Sequence, residues 1–162
     1  MSQAKTNAMR ILDAKKIAYN VYTYENQDGK IDGVSVAEKI GKDPVTVYKT
    51  LVAEGGSKNI YVFVIPVEAE LDLKKAAKAV GEKKVEMLPV KDIQKWTGYI
   101  RGGCSPVGMK KAYPTLIDQS AAKLAEAGQI IVSGGKIGMQ IELSVDDLCS
   151  VTGANLQDIV KS

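Results

Sequence analysis

Apolar residues along this chain alternate between a helical and a strand-like period. Ala4, Ala8, Ile11 and Leu12 recur at helical spacing, which predicts an amphipathic helix over residues 3–16. Residues 19–24 are rich in aromatic and β-branched side chains and read as a strand, closed by the turn formers Asn26, Gln27, Asp28 and Gly29. A short helix over 35–40 stops at Gly41. Two strand-like runs, 47–53 and 59–66, flank Glu54-Gly55-Gly56-Ser57 and predict a hairpin. Asp72 is placed to cap a helix ending near Gly81, and Pro89 to open another ending near Gly98. Residues 98–108 contain four glycines and a proline, a composition that no regular element tolerates. Beyond it come a strand over 115–118, an Ala-rich helix, a Gly-bounded strand pair at 129–133 and 139–143, a helix near 145–151 and a last turn at 156–160.

Hairpins with irregularly interspersed helices predict an α+β fold: a mixed, largely antiparallel sheet with packed helices. With 162 residues and no long linker or repeat, one domain over 1–162 is expected. The longest apolar run, residues 60–67, falls far short of the ~20 residues that cross a bilayer. No membrane association is expected, and the first twenty residues show no secretory pattern, which points to the cytoplasm. Cys104 and Cys149 are then reduced thiols.

The count that changes the picture most is histidine, of which the chain has none. That excludes a Ser-His-Asp triad, a Cys-His dyad and any His-ligated metal, and two cysteines exclude a four-thiolate zinc site. No metal or cofactor is expected. Catalysis would have to come from Lys, Tyr, carboxylates, backbone amides or the substrate. The net charge of +3 is mild for a nucleic-acid binder.

Three places are chemically unusual. Alternation puts Lys49 on the same strand face as Val47, Leu51 and Ala53, where an amine either faces a pocket or guards a sheet edge against aggregation. The 98–108 loop either forms a nest of backbone N–H groups for an anion or an oxyanion, or is a long connection needing several tight turns. Ser133-Gly134-Gly135 closes a strand, and Gln140 alternates with Met139 and Ile141, which predicts a solvent-facing amide. Cys104 has no histidine partner, so a plain loop residue is favoured over a nucleophile.

Together these places resemble one family. Val47-Tyr48-Lys49-Thr50-Leu51, the stretch 71–78, Lys83-Lys84-Val85-Glu86-Met87, Thr97-Gly98-Tyr99, Gly102-Gly103-Cys104-Ser105-Pro106 and Val132-Ser133-Gly134-Gly135-Lys136 occur in the order and spacing of the YbaK family. The likeness runs from Ile11 to Ile159. It implies the curved sheet or partly open barrel of the editing domain inserted in prolyl-tRNA synthetase, and a trans-editing deacylase that clears cysteine from tRNA for proline, and from Cys-tRNA(Cys) as well. The family's proposed chemistry is substrate-assisted: the thiol of the attached cysteine attacks its own ester carbonyl. A thiol with a pKa of about 8.5 is a competent nucleophile without an imidazole base.

By the same resemblance Lys49 aligns with the family's essential lysine, Tyr24 with a tyrosine that holds the aminoacyl group, and Gly102 and Gly103 with a pair presenting backbone amides. Ser133, with Gly134, Ser105, Pro106 and Gln140, would contact substrate. Three positions depart from the pattern: Gln140 stands where some close relatives carry aspartate, Asn26 where they often carry histidine, and Cys104 where isoleucine is usual. The expected partners are the 3′ acceptor end of aminoacyl-tRNA and prolyl-tRNA synthetase. Two other readings stay open: removal of alanine from tRNA for proline, and a non-catalytic module that binds tRNA or a synthetase.

Overall fold

A computed structural model describes residues 5–162. In chain order it contains α1 (Asn7–Ala14), β1 (Asn20–Thr23), α2 (Gly33–Lys39), a 3-10 turn (Pro44–Thr46), β2 (Tyr48–Gly55), β3 (Ile60–Pro66), α3 (Leu73–Val80) and β4 (Val85–Met87). There follow α4 (Val90–Thr97), β5 (Thr115–Asp118), α5 (Ala121–Ala127), β6 (Gln129–Lys136), β7 (Met139–Ser144), α6 (Val145–Thr152) and β8 (Asn155–Gln157). Three strands form one sheet in the order β1-β7-β6, and five form another in the order β4-β2-β3-β5-β8. Four of the six strand pairs are antiparallel, and β3-β5 and β5-β8 are parallel. The α+β class with a mixed, largely antiparallel sheet is what the pattern predicts. The strands form two open sheets that do not close into a barrel, in keeping with the expected partly open arrangement.

The apolar run in β3 has a direct cause. Ile60 to Ile65 are all buried, because this strand sits between β2 and β5 with both faces covered. Val62 and Val64 point into the layer between the two sheets, together with Leu12, Tyr48, Ile117, Ile130, Val132, Ile141, Leu143 and Leu148. Phe63 and Ile65 point the other way, onto Ala76 and Ala77 of α3. Burying each such side chain is worth about 1.5–3 kcal/mol, so the two faces of β3 hold both layers together. One isolated parallel backbone bridge, Val47 to Ile131, links the two sheets beside that packed layer.

Local chemistry sets the helix starts. Asp72 accepts hydrogen bonds from the N–H groups of Lys74 and Lys75, each at 3.0 Å, as its position predicts. The first helix begins at Asn7, where the Thr6 hydroxyl accepts from the Met9 N–H, and ends at Ala14. Gln3 and Ala4 of the expected helix lie outside the described residues.

The structure differs from the sequence reading at three strands. Residues 85–87 form β4 against Ala53–Gly55, a pairing too short and too charged to show alternation. Ser133-Gly134-Gly135 does not close β6, which continues to Lys136 through an irregularity in register. Residues 155–157 form an edge strand beside β5 where a final turn was expected, because β5 supplies a free parallel edge that outweighs the weak strand propensity of Asn155 and Gln157.

Asp118 joins that C-terminal segment to the sheet. Its carboxylate is 2% exposed and accepts from the N–H groups of Ser120 at 3.1 Å and Ile159 at 3.3 Å. Asp118→Ala strands both donors in the interior and is expected to cost about 1–3 kcal/mol in a denaturant titration. An unchanged midpoint would show that these bonds contribute nothing to the fold.

Candidate functional site

Where the two sheets meet, a cavity of about 680 Å³ opens. Its lining comes from the approach to α2 and its first turn (Ile31, Asp32, Val34), the start of β2 (Tyr48, Lys49, Thr50), Val67 just past β3, the irregular loop after α4 (Arg101, Gly102, Cys104), and the β6-β7 pair (Ser133, Gln140). Lys49 occupies the stretch of β2 that β4 leaves unpaired. It is half-buried, and its ammonium has neither a carboxylate nor a hydrogen-bond partner among the described residues. Holding a cation there is costly unless an anion arrives to meet it.

Gln140 overturns the expectation of a solvent-facing amide, since it is 6% exposed. Alternation does set it opposite the face of Met139 and Ile141, but that opposite face is the cavity wall rather than solvent. It lies in the middle strand of its sheet, level with Tyr22 and Ser133. Ser133 accepts at Oγ from the Gly135 N–H at 3.2 Å, which leaves its own hydroxyl proton available to the cavity.

The two loop glycines have different tasks. Gly102 faces the cavity with φ +86°, and a Cβ there would stand 2.8 Å from Ile31 Cδ1. Gly103 packs its Cα face against the β6-β7 turn, where a Cβ would meet the backbone of Lys136 and Ile137 at 2.8–2.9 Å. Its N–H is occupied, donating to the Ile100 carbonyl at 3.0 Å. The N–H groups of Gly102 and Cys104 have no acceptor among the described residues, whereas that of Gly103 is engaged.

The remaining sequence candidates stand apart from the cavity. Ser105 is fully buried and its Oγ accepts from the Val107 N–H at 3.2 Å; Pro106 is buried beside it. Gly134 lies under Met139. Tyr24 lines a second cavity of about 230 Å³ with Asn26, Lys136 and Gly138, and its hydroxyl is buried without a partner. The structure therefore brings together Lys49, Gly102, Ser133 and Gln140, and leaves Tyr24, Gly103, Gly134, Ser105 and Pro106 outside that group.

The sequence reading missed Arg101, Asp32 and Lys39. Asp32 caps α2, and hydrogen bonds from the Ser35 hydroxyl and N–H hold its carboxyl below the usual carboxylate range. The Lys39 ammonium ties the 25–31 loop by donating to Glu25 O at 2.7 Å, Asp28 Oδ1 at 2.8 Å and Lys30 O at 3.0 Å. That loop sets Ile31 against Gly102. The Asp32-x-x-Ser35 spacing was a readable cap signal, whereas the Lys39 clamp is visible only in three dimensions. Among the described residues no group of three potential metal ligands gathers, and no helix is long and apolar enough to cross a membrane.

Residues 32–151 match the family model of the aminoacyl-tRNA editing domain. The chain belongs to that family. A curated relative from Enterococcus faecalis, provisionally named Cys-tRNA(Pro)/Cys-tRNA(Cys) deacylase EbsC, is 47% identical over 98% of this chain and 94% of its own. A crystal structure described as a trans-editing enzyme for prolyl tRNA synthetase superposes with a TM-score of 0.81 at 22% identity, covering 99% of this chain and 100% of that one. A hypothetical protein of known structure gives 0.84 at 20% identity, covering 96% and 100%. These two likenesses establish a shared fold.

The cavity holds one thiol, and it is inert. Burial pushes the Cys104 thiol up from 9.0 to about 11, so it stays protonated at neutral pH. The unfolded chain releases that proton near pH 9 and the native protein only near 11. The thiol's contribution to stability is therefore whole below pH 9 and is lost as pH rises through 11. Cys104→Ala is expected to flatten the fall of the unfolding midpoint across that window. Parallel pH profiles for the two proteins would contradict the assignment.

Proposed function

We propose that this protein is an aminoacyl-tRNA deacylase that removes cysteine from tRNA for proline, and from cysteine's own tRNA, using the thiol of the substrate as nucleophile. One observation carries the reading: the cavity offers a cation and hydrogen-bond donors but no activated nucleophile or base. The chain has no histidine, Cys104 is protonated, and the Asp32 carboxylate is held in a helix cap with its basicity lowered. The family membership and the name carried by the relative from Enterococcus faecalis support the choice of substrate.

In the proposed reaction the Sγ of the bound cysteinyl group bonds to its own carbonyl carbon and the C–O bond to the ribose breaks. The thiol proton passes to the ribose oxygen, and cysteine leaves as a thiolactone that water opens. The N–H groups of Gly102 and Cys104, with the Lys49 ammonium, receive the oxyanion; one such donor is typically worth about 10²–10³ in rate. Ser133 and Gln140 orient the amino acid, and this positioning contributes several further kcal/mol. Gly103 and Tyr24, whose N–H donates to Gly138 O at 2.9 Å, hold the β6-β7 turn against the loop. Ser105, Pro106 and Gly134 shape the wall from behind. Residues 1–162 act as one domain in this reading. With a net charge of only +3 the protein holds free tRNA weakly, and prolyl-tRNA synthetase supplies the acceptor end at high local concentration.

Deacylation of Cys-, Ser- and Ala-charged tRNA tests the proposal. Serine matches cysteine in shape but not in nucleophilicity, so hydrolysis of the cysteinyl ester alone is expected. Lys49→Ala should slow it by at least about a hundredfold with an unchanged unfolding midpoint. Equal rates on all three substrates would replace the thiol by an activated water and favour the alanine-clearing alternative. No hydrolysis of any of them would favour the non-catalytic module.

A further inference from the structure

Two cations line the cavity, at different depths. Lys49 is half-buried in the wall, whereas Arg101 is exposed at the rim. The protein ties up several of its other charges, as in Lys39 with Asp28, Lys75 with Asp158 and Lys84 with Glu86. Arg101 makes neither an ion pair nor a side-chain hydrogen bond among the described residues. It sits inside a turn closed by the Gly103 N–H on the Ile100 carbonyl at 3.0 Å, and Gly102, with φ +86°, follows it. The guanidinium is thus carried on a fixed backbone at the mouth of the site while its side chain is left without a partner.

A cavity of about 680 Å³ is far larger than a cysteinyl group and lies in the range that takes a ligand of nucleoside size. With the ester carbonyl at Lys49, the terminal ribose and base occupy the remaining volume. The first anion reached on the way out is the phosphodiester joining the last two nucleotides. A planar guanidinium suits such a group, because it gives two parallel charge-assisted hydrogen bonds that an ammonium cannot reproduce.

We propose that Arg101 binds the phosphodiester between the last two nucleotides of the acceptor end and so sets the register of the ester over Lys49. The inference rests on the deacylase reading above. The phosphodiester does not react, so the contact is equal in ground and transition states and enters KM rather than kcat.

The experiment compares wild type, Arg101→Ala and Arg101→Lys on Cys-tRNA and on 3′-O-cysteinyl-adenosine, which has no phosphate. On Cys-tRNA, Arg101→Ala should raise KM about tenfold with kcat within about twofold. It should also flatten the slope of log KM against log salt by about 0.7, the value of one single-strand phosphate contact. Arg101→Lys should recover the salt slope but only part of KM. All three proteins should turn over the adenosine ester alike. A matching loss on the adenosine ester would overturn the proposal, since Arg101 would then shape the cavity itself; an unchanged KM and salt slope would also overturn it, leaving a solvated arginine. Binding of uncharged cytidylyl-adenosine by the same proteins gives a readout independent of deacylation. If wild type hydrolyses neither ester, the deacylase reading fails, and Arg101 is then judged by whether Arg101→Ala weakens the dinucleotide and spares adenosine.

Discussion

The contact between Val47 and Ile131 decides what the two sheets enclose. These side chains are almost fully buried, and their parallel bridge ties the start of β2 to the middle of β6. Lys49 follows two residues after the bridge on one strand and Ser133 two residues after it on the other, so a single contact sets both on one cavity. Gly103 makes the complementary approach from the loop, with its Cα face on the backbone of Lys136 and Ile137. Apolar packing that does no chemistry thereby fixes the spacing between a cation, a hydroxyl and a set of backbone donors.

Electrostatics divide the labour at that cavity. Burial suppresses the thiol of Cys104, hydrogen bonding suppresses the basicity of Asp32, and Lys49 has no counter-ion among the described residues. An ester whose acyl group carries its own nucleophile needs little more than this: charge stabilisation and a near-attack geometry. Gln140 fits the same logic, since a neutral amide on the wall can orient a substrate without competing for the positive charge of Lys49 or acting as a base.

Much of the fold was legible because local signals and tertiary environment agree. The Asp72 cap, the stop at Gly81 and the run of β3 each point the same way at every level. The misreadings have physical reasons. Alternation correctly told which face Gln140 occupies, but not that a cavity rather than solvent lies there. β8 is a strand because β5 offers it an edge, which no propensity of Asn155 or Gln157 records. The motif around Gly102 and Gly103 marked the loop, yet the engagement of the Gly103 N–H by Ile100 appears only in three dimensions. Lys39 matters through Glu25, Asp28 and Lys30, nine to fourteen residues away in sequence, and a single chain carries no pattern for such contacts.

The central claim is that the protein brings no nucleophile and the substrate brings its own. The most direct test is rapid-quench mass spectrometry of a single turnover on Cys-tRNA, which identifies the first species to leave the tRNA. The account predicts cysteine thiolactone ahead of free cysteine, with no acyl group on the protein at any time. Free cysteine without thiolactone, or a cysteinyl adduct on Cys104 or any other residue, would contradict it.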